Sequence, residues 1–449
     1  MTDSIPRAQD PRETLSVSPM SAIQIAVVAI TVGLNALDGF DVLAISFASP
    51  GIARDWGIDR AALGFVLSME LIGMGFGSML LGGVADRFGR RRTLLGCLLV
   101  MTVGMFMATR TRGVYDLSVW RVITGLGIGG MLATINAVAA EFSNQRRRGL
   151  NVSLMAIGYP IGAIVGGSIA ALLLRHGDWR AVFRFGAAAT AAFIPLVLWL
   201  VPESVSWLCQ RQPPGALARV NYGLGRMGHP PVLALPVIAA AAARRSVTEI
   251  FSPAWVRVTV LVTAAYFLHI STFYFILKWV PKIVVDMGFS PSSAAGVLVW
   301  ANVGGASGGA VLGLLSLRFA LKHLTMFALV MSTILVGVFG RGQSTLADLS
   351  LICAIAGFFT NAGVVGVYGI LAQVFPTQIR ATGTGFAIGF GRAGAMLAPI
   401  VAGLLFSAGY GLQFVALTMG SGSLIAAVAL WLLPHPPAEV IEMAPPALA

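Results

Sequence analysis

Gly82-Gly83-Val84-Ala85-Asp86-Arg87-Phe88-Gly89-Arg90-Arg91-Arg92 separates two long apolar runs and decides how the rest of the chain reads. Its glycines allow close backbone approach, and its acid is placed to pair at a helix end. Its arginines crowd a link too short to be a domain. Between two runs that can each cross a bilayer, such a link is a tight turn on the side of the membrane that retains positive charge.

Apolar runs recur on both sides of this turn. The chain has 449 residues, 57% hydrophobic and 11% charged, with a mean hydropathy of +0.84. Soluble domains carry about 25% charged residues, so this composition is that of a membrane protein. Twelve runs approach the length of about twenty residues that a spanning helix needs. They lie near 22–49, 60–83, 93–110, 116–140, 149–174, 181–201, 255–280, 290–315, 322–340, 347–374, 381–408 and 412–433. The expected fold class is all-α integral membrane, with twelve transmembrane helices. The polar start runs into the first span without a cleavage signature, so that span is read as uncleaved.

The longest polar interval, 202–253, divides the spans into a six-helix bundle over 22–201 and another over 254–433, with tails at 1–21 and 434–449. Pro213-Pro214 and Pro230-Pro231 break any continuous helix there and predict short amphipathic pieces. Two similar bundles around a central loop are what alternating access to a midplane site requires.

Topology accounts for the net charge of +12. With the N-terminus inside, 18 of the 30 Lys and Arg residues fall on inner segments, among them Arg7, Arg244 and Arg245, and 10 on outer ones. Only Arg121 and Arg392 remain within spans. This bias places both termini in the cytoplasm of a cell whose inner membrane holds the protein, and sets the excess charge against lipid headgroups instead of nucleic acid. Cys97, Cys209 and Cys353 have no paired spacing and read as small apolar fillers. The five histidines form no metal-like cluster, and no nucleophile with a base is visible. Neither a metal, a cofactor, an enzymatic reaction nor an obligate protein partner is expected.

The opening turn fills every position of Gly-x-x-x-Asp-Arg-x-Gly-Arg-Arg and so resembles the loop signature of the major facilitator superfamily. The resemblance implies the major facilitator fold. It also implies a conformational latch made by Gly82, Asp86, Arg87, Gly89, Arg90 and Arg91, which Glu141 at the inner end of span four joins through an inner charge network with Arg146–Arg148. The matching stretch after span eight, Gly313-Leu314-Leu315-Ser316-Leu317-Arg318, has Leu317 in place of the acid, so the second copy is degenerate. Arg121-x-x-x-Gly125-x-Gly127-x-Gly129, Pro202-Glu203-Ser204 and Phe375-Pro376-Thr377-Gln378-Ile379-Arg380 extend the likeness across the chain. In span five, Gly149, Gly158, Gly162, Gly166 and Gly167 resemble a glycine motif of antiporters, but Ala163 stands where that motif has proline. These glycines read as packing and bending material.

Asp38-Gly39-Phe40-Asp41, followed by Pro50-Gly51-Ile52, resembles the first helix of aromatic acid:proton symporters. Arg392, in Gly389-Phe390-Gly391-Arg392-Ala393-Gly394, fits the eleventh span of that family. The resemblance implies proton-driven import of benzoate-like acids. The rivals are proton-coupled efflux of drugs or metabolites and symport of another organic acid.

The embedded charges carry the rest of the argument. Asp38 and Asp41 lie about one helical turn apart and therefore nearly share a face. Each carboxylate costs roughly 2.5–3.5 kcal/mol in hydrocarbon and turns toward a partner, a cavity or an ion path. Asp38 lies about fifteen residues, roughly 22 Å, from the inner edge of span one. Arg121 lies about 8 Å from the outer edge of span four, at the same level of a core about 30 Å thick. Two readings stand: Asp38 pairs with Arg121, or Arg121 snorkels outward and Asp38 is hydrated. Asp38, Asp41 and Arg121 are thus the candidate proton-coupling set, driven by a proton gradient, with Glu70 a further acid.

Arg392 sits roughly 16 Å into span eleven, too deep for easy snorkelling. Its planar fork suits a carboxylate substrate, and a structural pair is the other reading. Candidate lining residues of an aromatic site are His269, Tyr274, Trp300, Asn302 and Asn361, with Tyr368 on span ten. Lys278 is expected to snorkel from the outer end of span seven.

Overall fold

The computed structural model describes residues 10–236, 247–376 and 379–434. Arg7, Arg244, Arg245, Thr377, Gln378 and residues 435–449 lie outside the described residues. The helices in order are α1 (Pro11–Val17), α2 (Ala22–Trp56), α3 (Arg60–Phe88), α4 (Arg90–Ala108), α5 (Val114–Glu141), α6 (Arg148–His176), α7 (Arg180–Leu200), α8 (Val205–Arg211), α9 (Ala216–Arg226), α10 (Val256–Asp286), α11 (Pro291–Leu315), α12 (Leu321–Gly340), α13 (Leu346–Val374), α14 (Arg380–Ser407) and α15 (Leu412–Trp431). Among the described residues, α2–α7 and α10–α15 are the twelve helices long and apolar enough to cross a membrane. The protein is a multi-pass, all-helical membrane protein.

The expected turn is a single residue. Gly89 separates α3 from α4 at φ +107°, a conformation that a side chain would strain. In the polar interval, α8 stops before Pro213, α9 stops before Pro230, and a 3₁₀ turn covers Val247–Phe251. These are the short pieces that the prolines predict. Cys209 is buried on α8, and burial pushes its thiol up to about 11, which keeps it inert at neutral pH.

Helix α1 was not expected, although its start signal is present. Asp10 is its N-cap, accepting from Arg12 N at 2.9 Å, and Pro11 occupies the first position, where its missing N–H costs nothing. The Arg12 guanidinium also bonds the Asp10 carboxylate and holds it below the usual carboxylate range. The segment is tied down where Gln145 N donates to Ser16 O at 2.9 Å and Asn144 Nδ2 donates to Ser18 O at 3.0 Å.

The chain forms two compact units, Met1–Ile52 with Met69–Ala242, and Ala53–Ser68 with Ala243–Ala449. The sequence boundaries place 53–68 in the first bundle, whereas the structure groups it with the second unit. Arg60 explains part of this. It pairs with Asp286 at 2.9 Å, and its guanidinium lies 5.0 Å over the Phe406 ring. Gly64 completes the grouping, since a Cβ there would strike the Pro399 carbonyl.

Candidate functional site

In the first unit, helices α2, α3 and α5 bring four ionisable side chains into the protein interior. Asp38 is 1% exposed, and Asp41, Glu70 and Arg121 are fully buried. Arg121 therefore does not snorkel. It forms an ion pair with Glu70, its Nη2 donates to the Asp41 carbonyl at 3.1 Å, and its Nη1 meets Met105 Sδ at 3.0 Å. Its guanidinium also lies 5.3 Å from the centre of the Phe183 ring. Thr190 on α7 donates to Asp41 Oδ2 at 3.5 Å. Helical rise alone sets Arg121 level with the acids of α2, but it does not name Glu70 as a partner.

Small residues set that contact. Arg121, Gly125 and Gly129 recur one turn apart on α5, facing Glu70, Gly73 and Gly77 on α3. A Cβ on Gly125 would strike the Glu70 carbonyl, and one on Gly73 would strike the Val122 carbonyl. The backbones thus approach closely enough to hold carboxylate and guanidinium together. Both stripes are present in the sequence, where the α5 stripe reads only as a family signature.

Three of the span-five glycines have the same explanation, while Gly149 faces open space. Cβ atoms on Gly158, Gly162 and Gly166 would meet Val32, Ala36 and Phe40 of α2, while Gly39 packs on the Tyr159 carbonyl. Phe40, between the two aspartates, stands edge-on to Phe185 with ring centres 5.2 Å apart. The row packs α6 against the acid-bearing stretch of α2, as its reading as packing material requires.

At the α3–α4 turn the sequence motif becomes a charge network. Arg90 Nη1 donates to Asp86 Oδ1 at 2.7 Å, and its Nη2 donates to Glu141 Oε1 at 3.0 Å. Glu203 Oε1 accepts from the backbone N–H groups of Arg90 at 2.7 Å and Arg91 at 3.2 Å, capping α4 from the far end of the bundle's sequence. Ser204 caps α8, and Trp207 Nε1 donates to the Asp86 carbonyl at 2.9 Å. Pro202-Glu203-Ser204 therefore closes two helix starts at once. Gly82 lies one turn before Asp86 on α3, and the Arg87 guanidinium lies 5.3 Å over the Phe88 ring. Glu203→Ala removes the acceptor of two orphan N–H groups and should cost about 1–2 kcal/mol. A lowered thermal unfolding midpoint of the purified variant checks this. After α11, Leu317 stands 80% exposed where the first copy has its acid.

The second unit places the other candidate site residues and overturns the expectation that Lys278 snorkels. His269 is fully buried, with Nδ1 2.8 Å from Ser423 Oγ and Nε2 2.8 Å from the Thr360 carbonyl. A carbonyl only accepts, so Nε2 carries the proton and Nδ1 accepts from Ser423. Gly363 leaves the room for the ring, and both ring nitrogens are engaged within the unit. Asn302 spends its amide on Leu298 O of its own helix at 2.8 Å. Asn361 bridges α13 to the Gly305 carbonyl on α11 at 2.6 Å. Trp300 is 54% exposed on the surface of the chain, and Tyr274 is half-buried with Phe273 edge-on to it at 5.5 Å. Lys278 is fully buried because α10 runs two turns beyond it to Asp286, so it is not at a helix end.

Arg392 is half-buried on α14. Its neighbour Gly391 packs on the ring of Tyr266, whose hydroxyl is 2.9 Å from that of Tyr368. Tyr266 was missed because a tyrosine in an apolar span carries no sequence signal beyond its polar tip. The first unit holds three carboxylates and one guanidinium in its interior, and the second sets a guanidinium beside a tyrosine pair.

The sequence profile described as Major Facilitator Superfamily matches residues 31–354 and 262–445. The chain is 32% identical over 414 residues to the 3-(3-hydroxy-phenyl)propionate transporter of Escherichia coli strain K12, covering 90% of this chain and 93% of that one. It is 28% identical over 426 residues to the gallate transporter of Pseudomonas putida, covering 94% of each. To the 4-hydroxybenzoate transporter PcaK of Pseudomonas putida it is 30% identical over 425 residues, covering 92% of this chain and 93% of that one. Its fold is similar to that of the Escherichia coli xylose transporter XylE in an inward open conformation. There the TM-score is 0.72 at 18% identity, over 93% of this chain and 98% of that one.

Proposed function

Because this chain belongs to the Major Facilitator Superfamily, we propose that it is a secondary transporter importing an aromatic carboxylate together with protons. The chain is a membrane transporter and not an enzyme. Relatives matched along nearly their full length are named for gallate, hydroxyphenylpropionate and hydroxybenzoate transport, which supports a ring-bearing acid as cargo. The observation that carries the proton part is the buried set of Asp41 and Glu70 at Arg121, with Asp38 buried one turn earlier on α2. Three carboxylates with one guanidinium in a low-dielectric interior carry surplus negative charge, which bound protons would balance.

In this reading Asp38 and Asp41 take up protons when the cluster faces outward and release them when it faces inward. Arg392 binds the carboxylate of the cargo, and Tyr266 and Tyr368 border its ring. The Asp86–Arg90–Glu141 network steadies one conformation of the first bundle. The bias of basic residues supports a cytoplasmic-membrane location with both termini inside. Import is preferred to efflux because Gly158, Gly162 and Gly166 of span five have a packing role on α2, which weakens the antiporter likeness.

A screen of cells expressing the protein with labelled benzoate, 4-hydroxybenzoate, gallate and 3-(3-hydroxyphenyl)propionate tests the cargo. Saturable uptake of at least one, collapsed by a protonophore, is expected. Uptake of none, or exclusion of the acid from energised cells, would sink the reading.

A further inference from the structure

Glu70 is not part of the acid pair that marks α2, yet it is the side chain that meets Arg121. Arg121 is the one Lys or Arg between the ends of α2–α7 in the sequence. The same six helices carry three carboxylates away from their ends, Asp38, Asp41 and Glu70, all at most 1% exposed. The charged and titratable groups around Glu70 are therefore few. They are Asp38 and Asp41 on α2 and Arg121 on α5, with the Cys97 thiol of α4 within electrostatic reach of Asp38 and Tyr159 of α6 packed at Gly39.

Geometry separates the roles of the carboxylates. The backbone of α3 at Glu70 packs on Gly125, which keeps Glu70 and Arg121 within reach of each other as long as these two helices stay in contact. Toward α2, by contrast, Arg121 reaches the Asp41 main chain through one 3.1 Å hydrogen bond, and Asp41 has a neutral side-chain neighbour in Thr190. We infer that Glu70 is the fixed counter-ion of Arg121, a positioning residue that holds the guanidinium beside α2 and so leaves proton exchange to Asp38 and Asp41. The inference rests on the proton-coupled reading above. It explains how one guanidinium can sit beside the acid pair without holding both of its members permanently ionised. Neutralised by Glu70, Arg121 exerts a reduced field on α2; stripped of Glu70, it would act as a full buried positive charge.

The test uses the full-length protein in proteoliposomes and labelled 4-hydroxybenzoate, with transport followed against pH. Glu70→Gln should move the midpoint of the pH profile toward acid by at least one unit, about a tenfold change in proton concentration. Glu70→Asp keeps the charge and should hold the wild-type midpoint. If Glu70→Gln does not fold, the double variant Glu70→Gln/Arg121→Gln is compared with Arg121→Gln alone. Its midpoint should lie to the acid side of the single variant's, because Glu70 then no longer adds negative charge beside the aspartates. A wild-type profile in Glu70→Gln, or equal midpoints in the double variant and Arg121→Gln, would overturn the assignment. So would a Glu70→Gln profile flat with pH, which would make Glu70 itself the carrier of the proton. Wild-type transport that ignores pH would instead overturn proton coupling itself, and the role of Glu70 with it.

Discussion

Asp41→Asn should abolish uphill accumulation of the cargo while leaving exchange of cargo across the membrane intact. Asn has the shape of Asp and still accepts from Thr190, whose hydroxyl is 3.5 Å from Asp41 Oδ2. The main-chain bond from Arg121 to the Asp41 carbonyl is untouched by the change. Gly186 also leaves the side chain room to sit where the carboxylate sits. Folding should therefore survive, and the variant loses only a group that can gain and lose a proton. For each proton coupled, a gradient of one pH unit supports about tenfold accumulation. Without coupling the ratio falls to that of simple equilibration. Vesicles loaded with unlabelled 4-hydroxybenzoate should still exchange it for labelled acid at a rate comparable to wild type, and the same vesicles should fail to concentrate it under an imposed gradient. Normal accumulation by the variant would remove Asp41 from the coupling set.

Arg392→Lys should weaken binding of the carboxylate by about tenfold, or roughly 1.4 kcal/mol. Guanidinium presents two parallel donors to a carboxylate, whereas ammonium is a compact point charge and loses the bidentate geometry. The positive charge and most of the side chain remain, so a merely structural role next to Tyr266 would be spared. The distinguishing comparison is between benzoate and benzamide as competitors of labelled uptake. The variant should lose its preference for the acid, with the amide little changed. Equal loss of both would place Arg392 among the packing residues.

Much of this protein could be read from its residues, and the misses have physical causes. The α3–α4 turn was legible because only glycine suits φ +107° and only acids and arginines at that spacing can close the network around Arg90. The acid pair of α2 was legible because carboxylates are costly in hydrocarbon. Glu70 was not, because a lone acid in a span does not say which helix it faces. The glycine stripes of α3 and α5 held that information, in a form that becomes decisive only once the helices are paired. His269, Asn302 and Asn361 were legible as polar groups within spans, but their partners were not. A polar side chain in a span invites a functional reading, but helix packing also needs polar ties, and all three are engaged by hydroxyls or main-chain carbonyls. Lys278 was misplaced because hydropathy ended its span near residue 280, whereas the helix continues to Asp286.

Proton-driven import is the central claim, and reconstituted vesicles of one orientation test it most directly. With labelled 4-hydroxybenzoate outside and no other energy source, an acidic exterior should drive accumulation above the external concentration, and reversing the gradient should drive the acid out. Accumulation that is indifferent to the gradient, or that requires an acidic interior, would contradict it.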